Sequence, residues 1–158
     1  MKEKKSKIVC IIFTATVIMS MTGIADTVWT GTASDNIADA SYWNPAVLPT
    51  NSGNVGTMAS DAFWASGNNI LTNFYLDIQG GTIENDGIAN TYNFDGGEVT
   101  LNGGQLDSKD SVVLEGGAVL TVNSGSLNTS REHLSINNGA AIINGGLLET
   151  SGLLMADN

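Results

Sequence analysis

The chain has 158 residues, with 16 acids against six bases, 19 glycines, one histidine and one cysteine. A single cysteine excludes an intrachain disulfide and any cysteine-built metal centre, and a single histidine excludes a multi-histidine one. The acid excess argues against a nucleic-acid partner, whose phosphates need Lys and Arg.

The N-terminus has a secretory pattern. Lys2, Lys4, Lys5 and Lys7 precede an apolar run over 8–21, and Gly23-Ile24-Ala25 offers small residues ahead of Asp26. This predicts a signal peptide over 1–25, cut before Asp26. The alternative is an uncleaved anchor helix, which needs a longer apolar run of ~20 residues. Cys10 lies inside the run and lacks the context of a lipoprotein cysteine. Cleavage removes only one acid, Glu3, and leaves Lys109 and Arg131 as the sole bases against 15 acids. The expectation is a secreted protein, extracellular or at the cell surface. It has no affinity for anionic membranes after cleavage.

Residues 26–70 read as an aromatic-rich N-terminal cap. Past the leader, every aromatic residue lies between Trp29 and Phe94. Trp29, Trp43 and Trp64 carry enough apolar area to seal the first coil of a stack. The rival reading makes these three a ligand-contact face, since aromatic rings stack on pyranose rings.

Residues 71–158 repeat. Phe94-Asp95-Gly96-Gly97, Leu114-Glu115-Gly116-Gly117 and Ile136-Asn137-Asn138-Gly139 each open a unit. Within the units recur Leu101-Asn102-Gly103-Gly104-Gln105-Leu106, Val122-Asn123-Ser124-Gly125-Ser126-Leu127 and Ile143-Asn144-Gly145-Gly146-Leu147-Leu148. Asn102, Asn123 and Asn144 are 21 residues apart. A fixed period of this size with paired glycines predicts an all-β, parallel β-solenoid of about 20–22 residues per coil. Right-handedness follows from the preference for right-handed parallel crossovers. Ile78-Gln79-Gly80-Gly81-Thr82-Ile83 matches the inner phrase, so the stack is expected to start near Leu71, with an irregular coil through Tyr92. The alignment places Tyr92, Val112, Leu134 and Leu154 in one column, and Leu106, Leu127 and Leu148 in another. The aligned Asn residues are either an amide ladder or left-handed corner residues. The longer coil should take up its extra residues in a loop near Ser130-Arg131-Glu132-His133.

At the end, Ala156-Asp157-Asn158 opens a further coil and stops. The expectation is a piece of a longer protein, truncated at its C-terminus. The open coil edge is then a place for self-association by strand pairing.

Catalytic chemistry finds little support. His133 falls in the expected loop, and no Gly-x-Ser-x-Gly elbow is present. Asp107, Asp110 and Glu132 with Lys109 and Arg131 are the only gathering of acids and bases. Exposed loop charges are the simpler account of it. An ice-binding face needs Thr in register, and Thr100, Thr121 and Thr150 are read as out of register. Asn128-Thr129-Ser130 is a formal glycosylation sequon. No enzyme activity, cofactor or metal is expected.

The cadence Val28-Trp29-Thr30-Gly31, Asp39-Ala40-Ser41-Tyr42-Trp43-Asn44, Leu48-Pro49 and Gly53, with Val55, Met58 and Phe63 as strand residues, resembles a known family. It is similar to the start of large secreted bacterial β-solenoid proteins with autotransporter-associated β-strand repeats. The Gly-Gly phrases resemble that family's body. The resemblance implies a passenger, stalk or adhesin role, with polysaccharide or other cell-surface components as partners. The competing class is a carbohydrate-binding module or a polysaccharide lyase-type β-helix fragment.

Overall fold

A computed structural model describes residues 26–64, 70–85 and 91–156. The expected leader over 1–25 and the final Asp157-Asn158 lie outside these residues. Eleven strands form one sheet: β1 Thr27–Trp29, β2 Trp43–Asn44, β3 Gly56–Met58, β4 Ala62–Trp64, β5 Ile70–Ile78, β6 Thr82–Asn85, β7 Tyr92–Ser108, β8 Val112–Glu115, β9 Val119–Asn137, β10 Ala140–Ile143 and β11 Leu147–Ala156. A 3-10 turn at Ala40–Tyr42 precedes β2, and no α-helix occurs among the described residues. The sheet winds into a β-solenoid of about four turns.

Each coil has three sides, and each side stacks on its equivalent. On the first, Leu76, Val99 and Leu120 are successive parallel partners, as are Ile78, Leu101, Val122 and Ile143. On the second, Ala62, Ile83, Leu106, Leu127 and Leu148 align. On the third, Leu71, Phe94, Leu114, Ile136 and Met155 align. Alternation along each side sends these columns inward, where most of their members are buried. Burial of each such side chain contributes roughly 1.5–3 kcal/mol. One coil alone has no partner for its apolar face; the neighbouring coils supply it.

Corners are made where the backbone turns left-handed. Gly97 has φ of 81° and pairs with Phe74 of the coil below. A Cβ there would overlap the Phe74 backbone. Glycine is therefore needed twice, for the dihedral and for the close approach of two coils.

Parallel pairing extends below Leu71. β3 pairs with β5 and β4 with β6, so residues of the aromatic-rich segment already belong to the stack. β1 pairs in parallel with β3 and antiparallel with β2. The two-residue β2 is thus the edge strand on that side, a short edge of the kind that resists further pairing.

Two register expectations are corrected. Leu134 pairs with Leu153, while Leu154 pairs with Ser135. The cause is the preceding corner, where Thr129 to His133 is matched by the shorter Thr150 to Gly152. Three residues on one coil face one on the next, so the register of the following side shifts by two and Leu153, not Leu154, falls opposite Leu134. This corner is also where the longer coil takes up its extra length, within the bounds of β9. Secondly, Thr100 and Thr121 do align, in one outward column with Thr57 and Asp77. Thr150 lies on a different side, paired with Thr129.

Candidate functional site

The three tryptophans are enclosed. Trp29, Trp43 and Trp64 retain 4%, 2% and 2% of their surface. Trp29 packs edge-on against Trp43 with centroids 5.2 Å apart, and Trp64 lies 4.4 Å from Tyr92 and 5.5 Å from Phe94. The indole nitrogens donate to main-chain carbonyls, Trp29 Nε1 to Asp61 O at 3.1 Å and Trp43 Nε1 to Ile37 O at 2.9 Å. No indole face is left open for a pyranose ring. The rings close the lower end of the core, and the sugar-contact reading of Trp29, Trp43 and Trp64 has no exposed surface to rest on.

Around them the cap is tied by short polar turns. Asp35 accepts from Thr32 N at 2.7 Å and from Thr32 Oγ1 at 2.9 Å. Asp39 caps the 3-10 turn by accepting from Ser41 N at 2.9 Å and Ser41 Oγ at 2.7 Å. These hydrogen bonds hold both carboxyls below their ordinary range; the Thr32 main-chain N–H is the largest cause for Asp35, the Ser41 hydroxyl for Asp39.

The charged corner is brought together in part. Lys109 Nζ lies 3.5 Å from Asp107 Oδ2, and Ser111 Oγ donates to Glu132 Oε2 of the next coil at 3.2 Å. Thr91 Oγ1 donates to Asp110 Oδ2 at 3.5 Å. Arg131 is exposed. The Lys109 side chain is 43% open to solvent. Such a pair is worth about 0–1 kcal/mol and gives a base no desolvated pocket in which to act. Among the described residues, no three His, Cys, Asp or Glu side chains gather as a metal site.

Two side-chain ladders run along the axis. On the outer surface Asn144 Nδ2 donates to Asn123 Oδ1 at 2.8 Å, Asn123 Nδ2 to Asn102 Oδ1 at 2.9 Å, and Asn102 Nδ2 to Asp77 Oδ1 at 2.6 Å. Of the two sequence alternatives the ladder is realised, since the positive-φ non-glycine residues are Asn73 and Asn138. It survives a register shift just after Leu101, where Asn102 pairs with Ser124 on the main chain.

The second ladder escaped the sequence reading. Ser108, Thr129 and Thr150 are 21 residues apart and point into one corner. Ser108 Oγ donates to Ser111 O at 2.9 Å, and Thr129 Oγ1 donates to Thr150 Oγ1 at 2.8 Å. Thr150 Oγ1 in turn donates to Gly152 O at 2.7 Å. Below them Asn85 Oδ1 accepts from Lys109 N at 2.8 Å. These groups satisfy corner main-chain atoms that the core would otherwise strand. The same spacing as the Asn ladder was the available signal. Set against Thr100 and Thr121, which lie on another side of the coil, Thr150 shows no period.

Tyr92 sits between the cap and the stack, its hydroxyl 3.1 Å from Ile83 O and 3.2 Å from Asp107 O. Burial pushes its phenol well above the usual tyrosine range, with the Asp107 and Glu84 charges adding to the shift.

A cavity of about 110 Å³ is lined by Ala33, Asp61, Ala62, Thr82 and Glu84. Ligand pockets are typically ~300–1,000 Å³, so this one suits a few waters. Asp61 is already engaged there, accepting from Thr82 N at 2.8 Å. Among the described residues, no helix is long and apolar enough to cross a membrane. Comparison with protein-family models, curated proteins and solved structures finds no match.

Proposed function

We propose that this chain is a non-catalytic structural or adhesin-like β-solenoid module, exported and displayed outside the cell. The observation that carries the reading is the continuity of the stack: apolar columns inside, an amide ladder outside and hydroxyls at the corner all run along the axis, with register shifts confined to the corners. Such a body is stiff in the axial direction and offers flat side faces, which suits a stalk, passenger or adhesive surface. The basic and apolar leader pattern supports export. The acid excess supports solubility and weak contact with cationic or neutral surface components. Polysaccharide or other cell-surface components are the expected partners.

The test has two arms. The chain is expressed in a bacterial host and its N-terminus read by mass spectrometry, then the exported protein is assayed on a polysaccharide panel for binding and for release of unsaturated uronides. The expected result is an exported chain beginning at Asp26 that releases no uronide. Retention in the cytoplasm with an intact leader would overturn the location. Uronide release that is lost in Lys109→Ala would replace the structural role with a lyase.

A further inference from the structure

Coil packing places a chemically labile dipeptide on the outer surface. Gly103 has φ of 142°, and a Cβ there would lie 2.7 Å from Gln79 O of the coil below. Glycine is the residue that fits both the dihedral and the approach. The residue before it is Asn102 of the amide ladder, which is exposed. Asn144-Gly145 repeats the pair, and a Cβ on Gly145 would lie 2.6 Å from Asn123 O. Glycine has no side chain to hinder its own nitrogen, so an asparagine before it is open to attack on its amide carbon. The main chain restrains this spot weakly, because regular pairing of β7 with β9 is interrupted between Leu101 and Gln105. The side chain is held instead. Asn102 Nδ2 donates to Asp77 Oδ1 at 2.6 Å, and Asn102 Oδ1 accepts from Asn123 Nδ2 at 2.9 Å. Asp77 is fixed in turn by Gln79, whose Nε2 donates to Asp77 Oδ2 at 2.9 Å.

We propose that Asn102-Gly103 is a latent site of spontaneous deamidation, and that the amide ladder holds it closed. In the reaction Gly103 N attacks Asn102 Cγ. The Cγ–Nδ2 bond breaks, and the amide leaves as ammonia with the proton that Gly103 N gives up. Water then opens the five-membered imide at either carbonyl, giving aspartate or isoaspartate. The net change is amide plus water to carboxylate plus ammonium. Asn102 Cγ meets Gly103 N only by swinging out of the rung, which breaks both amide hydrogen bonds. Two such bonds at an exposed position slow the step by about tenfold. A carboxylate at this position would face the Asp77 carboxylate where an amide N–H now donates, so the rung does not close again. Isoaspartate also adds a carbon to the main chain just ahead of the buried Gly104 and Leu106. The ladder therefore preserves the length of the coil as well as joining it to its neighbours.

Peptide mapping by mass spectrometry tests this on the full chain incubated at mildly alkaline pH, reading the exchange of NH2 for OH at Asn102. The expected rate in the folded chain is about tenfold below that in the same chain unfolded in urea. Asn123→Ala removes one of the two bonds and should speed the folded-state reaction about threefold. Asp77→Ala removes the other bond and should act in the same direction, and it carries the test if Asn123→Ala fails to fold. Gly117→Ala loses comparable stability without touching the rung and should leave the rate unchanged. Equal rates in the folded and unfolded chain would overturn the inference, as would no acceleration in either rung variant. So would an equal acceleration in Gly117→Ala, which would assign the protection to global stability alone.

Discussion

Asn123 stands in the middle of the amide ladder, donating to Asn102 and accepting from Asn144. Its removal breaks two hydrogen bonds between coils, while removal of Asn144 breaks one. Net hydrogen bonds contribute about 0.5–1.5 kcal/mol each, and exposure puts these near the low end. Asn123→Ala is expected to lower stability by about 1–2 kcal/mol and Asn144→Ala by about half as much, read from urea midpoints at constant slope. Equal losses would mean that the ladder carries no cooperative role. Glycines allow a sharper comparison. Gly97 and Gly117 have nearly the same φ, 81° and 85°. Gly97 faces the Phe74 backbone, whereas a Cβ on Gly117 would meet nothing within 4 Å. Gly117→Ala should therefore cost only the left-handed penalty, about 1–2 kcal/mol. Gly97→Ala adds a backbone overlap that no rotamer relieves and should cost about 3 kcal/mol or more. Similar thermal midpoints for the two variants would contradict the close coil approach.

The cap and the corners are the elements on which stability turns. Trp43 is buried and bonded to Ile37 O, so Trp43→Ala is expected to cost about 3–5 kcal/mol. Hydrogen exchange should show the loss first in β1 to β3. Unchanged protection there would deny the ring its sealing role. Tyr92 gives a pH signature. Its phenol is raised in the folded state, so the folded chain holds that proton more tightly than the unfolded chain does. The resulting stability is fully present below the unfolded value of about 10 and is lost as pH rises above it. Denaturation midpoints should fall above about pH 10, and less steeply in Tyr92→Phe. An identical slope in both proteins would remove Tyr92 as the cause. Much of this was legible in the sequence, because the solenoid period shows itself through glycine and apolar positions. The columns through Leu106 and Leu101 are in register as expected, and so is the Phe94 column as far as Ile136; its next member is Met155 and not the expected Ala156, which pairs with Asn137. The shift from Leu154 to Leu153 was not legible, since it depends on how a corner folds rather than on which residues flank it. The buried hydroxyls of Ser108 and Thr129 were missed for a different reason. Polar residues are read as outward-facing, and only the corner carbonyls explain why these point in.

At the scale of the molecule one claim carries the rest: each repeat of the phrase is one coil, and successive coils stack as parallel strands, with differences in length taken up at the corners. Continuity of the inner columns, the Asn ladder and the column of corner hydroxyls all follow from it. Thr100 and Thr121 are direct parallel partners on an outward column, and parallel strands lie about 4.8 Å apart. Nitroxide labels placed at these two positions, on the Thr100→Cys/Thr121→Cys double variant, test the claim most directly. The continuous-wave spectrum of the doubly labelled chain should be strongly broadened by dipolar coupling relative to the sum of the single-label spectra. A spectrum equal to that sum would place the labels far apart and contradict the stacked coil.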